Sequence, residues 1–459
     1  VNFLSDPVLQ GLTTGGAFLI ATSQMKHLLG LDIQNSSFFQ TWKNIFANIK
    51  EINVATFLLG LFVFFMLWLV DLINDKFKKV LKGFKIPGPL LSLIVTTLYV
   101  YLTHMDEKYG VRVLGHIPEG LPHPKVPDAF HLTSDLVVPA IIIAIVGYSL
   151  TMATTKTMAE KTKEEPLVVL SSNQELLALG IASGIGGFFL GYPAFASLSR
   201  TTLAHAVGAK SQFHTFVSVL VVLIVLLVLT RALYYLPYTS LSAIIIYALR
   251  SLFKQMKQLP ALFRADVLDC IVWLSTFFSV LGLGIAFGLG IGVGVSMIVL
   301  VYNISYPKAA IVGRFPALPW LFKDVVRYSD AKEVPGIIVY RFDAALNFAN
   351  KEWFRNNLRN ALHARSVSTF TRIHSVVVDA SSMTRIDSSG LRILKKVQTE
   401  LAKDDIELIM CNCRGALRDA LIRYGLTVPR YLSVFDGVRY AEGKKLHNTE
   451  DDTEVVTIV

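Results

Sequence analysis

An apolar run is interrupted by Gly186-Gly187-Phe188-Phe189-Leu190-Gly191-Tyr192-Pro193-Ala194-Phe195-Ala196-Ser197-Leu198-Ser199-Arg200. Glycines and a proline end one helix, and Pro193 suits the first turn of the next because its missing N–H has no intrahelical partner there. A helix that begins inside a membrane aims unpaired N–H groups and the positive end of its dipole at the space it faces. Ser197 and Ser199 add hydroxyl donors, and Arg200 adds a permanent positive charge. The chemistry of Ser197, Leu198, Ser199 and Arg200 is therefore capture of an anion. The competing reading is a kinked helix whose serines bond preceding carbonyls and whose arginine snorkels to the interface. Broken helices at membrane depth are tolerated only when buried in protein or lining a cavity, which favours the site.

Elsewhere the chemistry-bearing types read as structure. Ser149, Thr151, Thr154 and Thr155 lie near the end of an apolar run and read as helix-packing hydroxyls. Gly284, Gly288 and Gly292 are spaced four apart in another such run, the pattern of close helix packing rather than of a nucleotide loop. Asp71, Asp266 and Asp269 fall near the ends of apolar runs and read as interfacial. Cys270 lies in an apolar segment. Cys411 and Cys413 lack the C-x-x-C spacing of a metal site, and on a strand both thiols would share one face as buried packing. No metal cluster, catalytic triad or phosphate loop stands out, so neither an enzyme nor a resident cofactor or metal is expected.

The last third carries a second distinctive stretch. Val376-Val377-Val378-Asp379 ends a short apolar run, a polar loop follows, and Asp387-Ser388-Ser389-Gly390 opens a helix with capping chemistry. Gly336–Phe342, Ser375–Asp379 and Ile406–Cys411 read as buried strands. Trp353–Ala364, Gly390–Ala402 and Arg414–Tyr424 read as helices. That alternation predicts a small α/β domain with a largely parallel sheet. The chain ends in acidic residues and then Thr457-Ile458-Val459, a pattern that fits strand addition to a PDZ groove through Thr457 and Val459.

The elements that must position these groups are legible in composition. Of 459 residues, 53% are hydrophobic and 17% charged, with a mean hydropathy of +0.51, whereas a soluble domain carries about 25% charged residues. Disorder and a disulfide scaffold are excluded by the apolar content and by only three cysteines. Ten candidate spans fall at 8–30, 54–74, 86–104, 135–155, 174–191, 194–206, 212–235, 239–253, 266–281 and 283–304. The net charge of +10 sits in short clusters between apolar runs and not in a basic stripe, which argues against nucleic acid. Lys76, Lys78, Lys79, Lys82 and Lys85 mark one cytoplasmic loop, and Arg250, Lys254, Lys257 and Arg264 another. Residues 31–53 and 105–134 then face outward, with a glycosylation sequon at Asn35, and the tail after Tyr302 faces the cytoplasm. The expected organisation is a membrane domain over 1–304, a cytosolic α/β domain over 305–445 and an acidic flexible tail over 446–459. The chain starts at Val1 and enters a span almost at once, so an N-terminal truncation is expected.

Four stretches together resemble the sulfate permease family, also called solute carrier family 26, which includes animal anion exchangers and the motor protein prestin. They are Phe3-Leu4-Ser5-Asp6-Pro7 with Gly11-Leu12-Thr13-Thr14-Gly15, Ser172-Asn173-Gln174-Glu175-Leu176, Ser197-Leu198-Ser199-Arg200, and Asp387-Ser388-Ser389-Gly390, in that order. The resemblance implies a UraA-like fold of two inverted seven-span repeats followed by a STAS domain, as a homodimer in the membrane. The ten spans would be the fifth to fourteenth. The family's anion lies between the third and tenth half-helices, so this chain without its first four spans is not expected to transport, whereas a full-length parent is. Substrates would be sulfate, chloride, bicarbonate, oxalate or similar small anions. Some proton-coupled relatives place a glutamate where Leu150 stands here, and no carboxylate lies between Asp135 and Glu160. Exchange or uncoupled passage is therefore expected over proton coupling. A prestin-like voltage-driven motor or an uncoupled chloride pathway is the alternative. Bacterial STAS relatives are phosphorylated on a serine that Ser388 or Ser389 matches, although a serine at a helix start also serves as a cap. The short stretch between Ser366 and Arg372 leaves no room for the long insert of many vertebrate relatives.

Overall fold

A computed structural model describes residues 5–34, 37–77, 86–118, 120–126, 134–161, 171–197, 200–201, 204–205, 208–368 and 372–447. Two compact units divide the chain, Val1–Met297 and Ile298–Val459.

The first unit is helical: α1 (Asp6–Leu29), α2 (Phe38–Ala47), α3 (Val54–Lys76), α4 (Gly88–Thr103), α5 (Met105–Tyr109), α6 (Ser134–Lys161), α7 (Ser172–Phe188), α8 (Phe213–Ile224), α9 (Tyr238–Phe253), α10 (Leu259–Ala265), α11 (Val267–Leu283) and most of α12 (Ile285–Ser305). Nine of the ten expected spans overlap helices in this series, the one at 212–235 being a twelve-residue α-helix that passes into a π turn at Val225–Leu229. The span placed at 194–206 instead begins without regular secondary structure through Ser197, with helical backbone at Arg200–Thr201. Among the described residues, α3 and α12 are by themselves long and apolar enough to cross a membrane.

Small residues bring α1, α9 and α11 together. A Cβ on Gly11 would lie 2.8 Å from the Trp273 carbonyl, and one on Gly15 would lie 2.9 Å from Val280. Phe18 packs edge-on against both Phe253 and Phe277. Gly288 and Gly292 of α12 press on Val280 and Thr276, as their four-residue spacing predicts, and Gly284 makes the one-residue turn between α11 and α12 at φ +88°. Several polar groups inside this bundle are paired, which matters because an unsatisfied one in hydrocarbon costs several kcal/mol, on the order of a full hydrogen bond. Thr13 and Thr14 both donate to Gln255 Oε1, and Ser242 donates to Gln24 Oε1 at 3.0 Å. Asp71 of α3 accepts from the Tyr247 hydroxyl at 2.6 Å and pairs with Arg250, whose guanidinium lies over the Tyr247 ring. Asp266, also read as interfacial, caps α11 through the Leu268 N–H.

The second unit is an α/β domain on a six-stranded sheet. The strands are β1 (Ala309–Phe315), β2 (Leu318–Asp324), β3 (Ile337–Phe342), β4 (Ser375–Asp379), β5 (Glu407–Cys411) and β6 (Arg430–Tyr431), in the order β2-β1-β3-β4-β5-β6. β3 to β6 are parallel, and β1 joins β3 antiparallel as half of a hairpin. Alternation along each strand builds two cores. Ile338, Tyr340, Phe342, Val376, Val378, Leu408 and Met410 face α13 (Lys351–Ser368), α14 (Ser388–Lys403) and α15 (Gly415–Arg423). Val339, Val377, Ile409 and Cys411 face α16 (Val434–His447). α14 is held by Leu391, Leu394, Val397 and Leu401, a stripe at helical spacing.

The two cysteines of the C-x-C pair do not share a face. Cys411 belongs to the core under α16, whereas Cys413 packs with the core under α13 to α15. Asn412 between them has φ +56°, a left-handed residue that ends the strand and removes the period-two alternation. Its side chain donates to Asp379 Oδ1 at 2.8 Å, which fastens the ends of β4 and β5 together.

Candidate anion site and the start of the STAS helix

The interruption between α7 and Arg200 is built in three steps. First, the last turn of α7 tightens, with Phe189 N–H bonding Gly186 O and Leu190 N–H bonding Gly187 O. Leu190 adopts φ +59°, and Gly191 comes so close to the Gly186 carbonyl that a Cβ would lie 2.9 Å away. Glycine at 191 is a steric requirement. Second, the Gly191 N–H closes back onto Gly186 O at 2.9 Å, and the chain then runs out of the helix through residues 192–197. Third, helical backbone resumes with the Thr201 N–H on Ser197 O at 2.9 Å.

α6 locates this segment. The Ala196 N–H donates to Thr151 Oγ1 at 3.2 Å, and that hydroxyl donates to Gly147 O at 2.9 Å. The Phe195 ring occupies the place that a side chain at 147 would take. Thr151 is buried and Met152 beside it is 1% exposed. The Tyr148 hydroxyl reaches Ser172 O at 2.8 Å and ties α6 to the start of α7. Gly147, Thr151 and Phe195 are thus positioning residues that sequence reading missed. Thr151 was assigned to packing, and only the chain's return at Ala196 gives it this partner.

Ser197 is half-buried and Arg200 is exposed. Leu198 and Ser199 lie outside the described residues, as do Asn35, Thr457, Val459, Phe3, Leu4, the loop lysines 78–85 and the tail from 448. Leu150, half-buried, stands one residue before Thr151 on α6.

The second serine pair is arranged differently. Asp387, not a serine, caps α14: its Oδ1 accepts the Gly390 N–H at 2.7 Å while its Oδ2 accepts the Phe348 N–H at 2.9 Å. Ser388 is exposed, and Ser389 is half-buried with its hydroxyl near the Arg392 guanidinium at 3.3 Å. Capping is therefore not the work of Ser388 or Ser389. Among the described residues no group of three or more His, Cys, Asp and Glu could hold a metal ion.

Comparison with known proteins gives these geometries a context. The sulfate transporter of Bos taurus is 30% identical over 457 residues, a match covering 92% of this chain and 61% of that protein. Prestin of Danio rerio is 32% identical over 409 residues, covering 88% of this chain and 51% of prestin. The chain thus spans about three fifths of the length of the sulfate transporters it matches. A solved structure of the murine Solute Carrier 26 family member A9 anion transporter in the inward-facing state superposes with a TM-score of 0.82 at 26% identity, covering 96% of this chain and 71% of that one. The chain is an integral membrane protein in which a helical membrane unit is followed by a STAS domain. The STAS domain model matches residues 328–440 and the sulfate permease model residues 1–276, and by that match the chain belongs to the sulfate permease family.

Proposed function

We propose that the protein to which this chain belongs is a secondary anion transporter, and not an enzyme, that exposes one anion site alternately to the two sides of the membrane. The domain limits of 1–304 and 305–445, and the equivalence of the ten helical segments to the family's fifth to fourteenth spans, are part of the same reading. The observation that carries it is the interrupted helix before Arg200. Its approach is fixed to α6 through Ala196 and Thr151, and its backbone restarts beside a hydroxyl and a fixed cation. A resumed helix at that point concentrates positive potential where no acidic residue stands between Glu175 and Asp266. Ser197, Leu198, Ser199 and Arg200 hold the anion. Sulfate, chloride, bicarbonate and oxalate are the candidate substrates.

Leu150 supports exchange or uncoupled passage, because a leucine beside the site carries no proton. The basic loops support a cytoplasmic STAS domain and tail. A homodimer in the plasma membrane, PDZ capture of the C-terminus, glycosylation at Asn35 and phosphorylation at Ser388 or Ser389 complete the proposal.

Radiolabelled sulfate uptake into vesicles containing the full-length parent, with and without trans chloride and with a pH gradient, tests it. Uptake stimulated by chloride and indifferent to the gradient is the expected result. Uptake driven by the proton gradient would contradict the role given to Leu150. No uptake together with a voltage-dependent capacitance would replace transport with the motor function, a reading that the similarity to prestin supports.

A further inference from the structure

We propose that the loop of residues 343–350 is a latch that couples the end of α12 to the start of α14, with Asn350 and Asp387 as its two bolts. Asn350 is completely buried and its polar atoms are all used. Its Nδ2 donates to Ile304 O in the last turn of α12 at 3.1 Å and to Ala345 O at 2.9 Å, while its Oδ1 accepts the Asn347 N–H at 2.9 Å. A second bond at the same end runs from the Asp343 N–H to Lys308 O at 3.1 Å. The loop therefore grips the chain on both sides of the passage from helix to β1.

Its other side grips the approach to α14. The Leu346 N–H bonds Arg385 O, the Asp387 N–H bonds Leu346 O, and the Phe348 N–H bonds Asp387 Oδ2. Leu346 is fully buried in the core under α14, so the loop moves only if that core yields. Few of these contacts are of the kind that slides, because buried hydrogen bonds are lost whole and cost about 1–3 kcal/mol when a partner goes missing. A shift of the last turn of α12 is thus delivered to the helix start that carries Ser388 and Ser389, and a change there is delivered back. Asn350 and Asp387 are positioning residues, acting through the loop rather than on any ligand.

Asp387→Asn separates the latch from the cap. Asparagine caps helices as well as aspartate and keeps an oxygen for the Gly390 N–H, but it sets an NH2 group against the Phe348 N–H. Hydrogen–deuterium exchange on the full chain in nanodiscs reads the outcome. In D387N the amides of Phe348, Asp343 and Tyr306 are expected to exchange about five- to tenfold faster, the equivalent of one lost hydrogen bond, while those of α14 beyond Gly390 stay protected. Asn350→Asp, which keeps the acceptor and loses both donors, is expected to accelerate the same amides and also Asp387. Acceleration confined to Phe348 in D387N, or melting of α14 with Tyr306 unchanged, would overturn the latch. If N350D does not fold, D387N alone decides. The readout involves no transport, so it stands or falls apart from the anion reading.

Discussion

Two helix starts in this molecule carry a pair of serines, and they are finished in opposite ways. At the start of α14 the chain supplies its own anion: Asp387 precedes the serines and takes up the Gly390 and Phe348 N–H groups. Before Arg200 the chain supplies a hydroxyl from another helix, Thr151, and no carboxylate precedes the serines closer than Glu175. The lesson concerns charge more than motif. A helix start that owns a carboxylate is neutralised within the fold, whereas one that owns an arginine keeps its positive potential.

That contrast can be broken most forcefully at Arg200. Arg200→Glu in the full transporter replaces attraction with repulsion, and chloride- or sulfate-dependent flux is expected to fall by about a hundredfold or more; wild-type flux would remove this region from the anion path. Gly147→Val places a branched side chain where the Phe195 ring lies. The strain of about 1–3 kcal/mol should displace the segment and lower flux by about tenfold without loss of membrane insertion. At the other helix start, Asp387→Ala should destabilise the STAS unit by about 2 kcal/mol in chemical denaturation while the first unit keeps its own transition. The smallest effect sharpens the comparison: Thr151→Val keeps the shape but leaves the Ala196 N–H without its acceptor. An increase of about fivefold in the apparent anion KM, with surface expression unchanged, is the expected outcome.

The helices of the membrane unit were legible because lipid-crossing helices are written in runs of apolar residues, and the break was legible because Gly186, Gly187, Gly191 and Pro193 disrupt one such run. β3, β4 and β5 were equally plain, as short apolar runs ending in turn residues. What escaped was what depends on return contacts. The hydroxyl of Thr151 has the same local sequence whether it packs or holds Ala196. α2 was read only as part of an outward loop, although Phe38–Ala47 is a helix whose Trp42 indole reaches back to Thr22. β6 is only two residues long and α16 is largely polar, while Gly313 and Pro319 interrupt the strand pattern of the β1–β2 hairpin. The Cys411–Cys413 pair was placed on one face because a strand was assumed to continue, and a single left-handed residue at Asn412 ended it. Asn350 gave no signal at all, since an asparagine before a helix is an ordinary cap candidate and its grip on Ile304 is tertiary.

The burial of the cysteines has a practical side. Cys411 lies beneath Gly437, where a Cβ would strike its sulfur, and burial pushes its thiol far above the usual range. Cys413 is pushed up to about 11 by the same cause. At neutral pH Cys413 stays a thiol rather than the thiolate that reacts with maleimides. The STAS unit should therefore be nearly silent to thiol labels as it stands. Single reporter cysteines, set at Tyr306 or Phe348 for instance, could be read against that quiet background without first stripping the native thiols from its core.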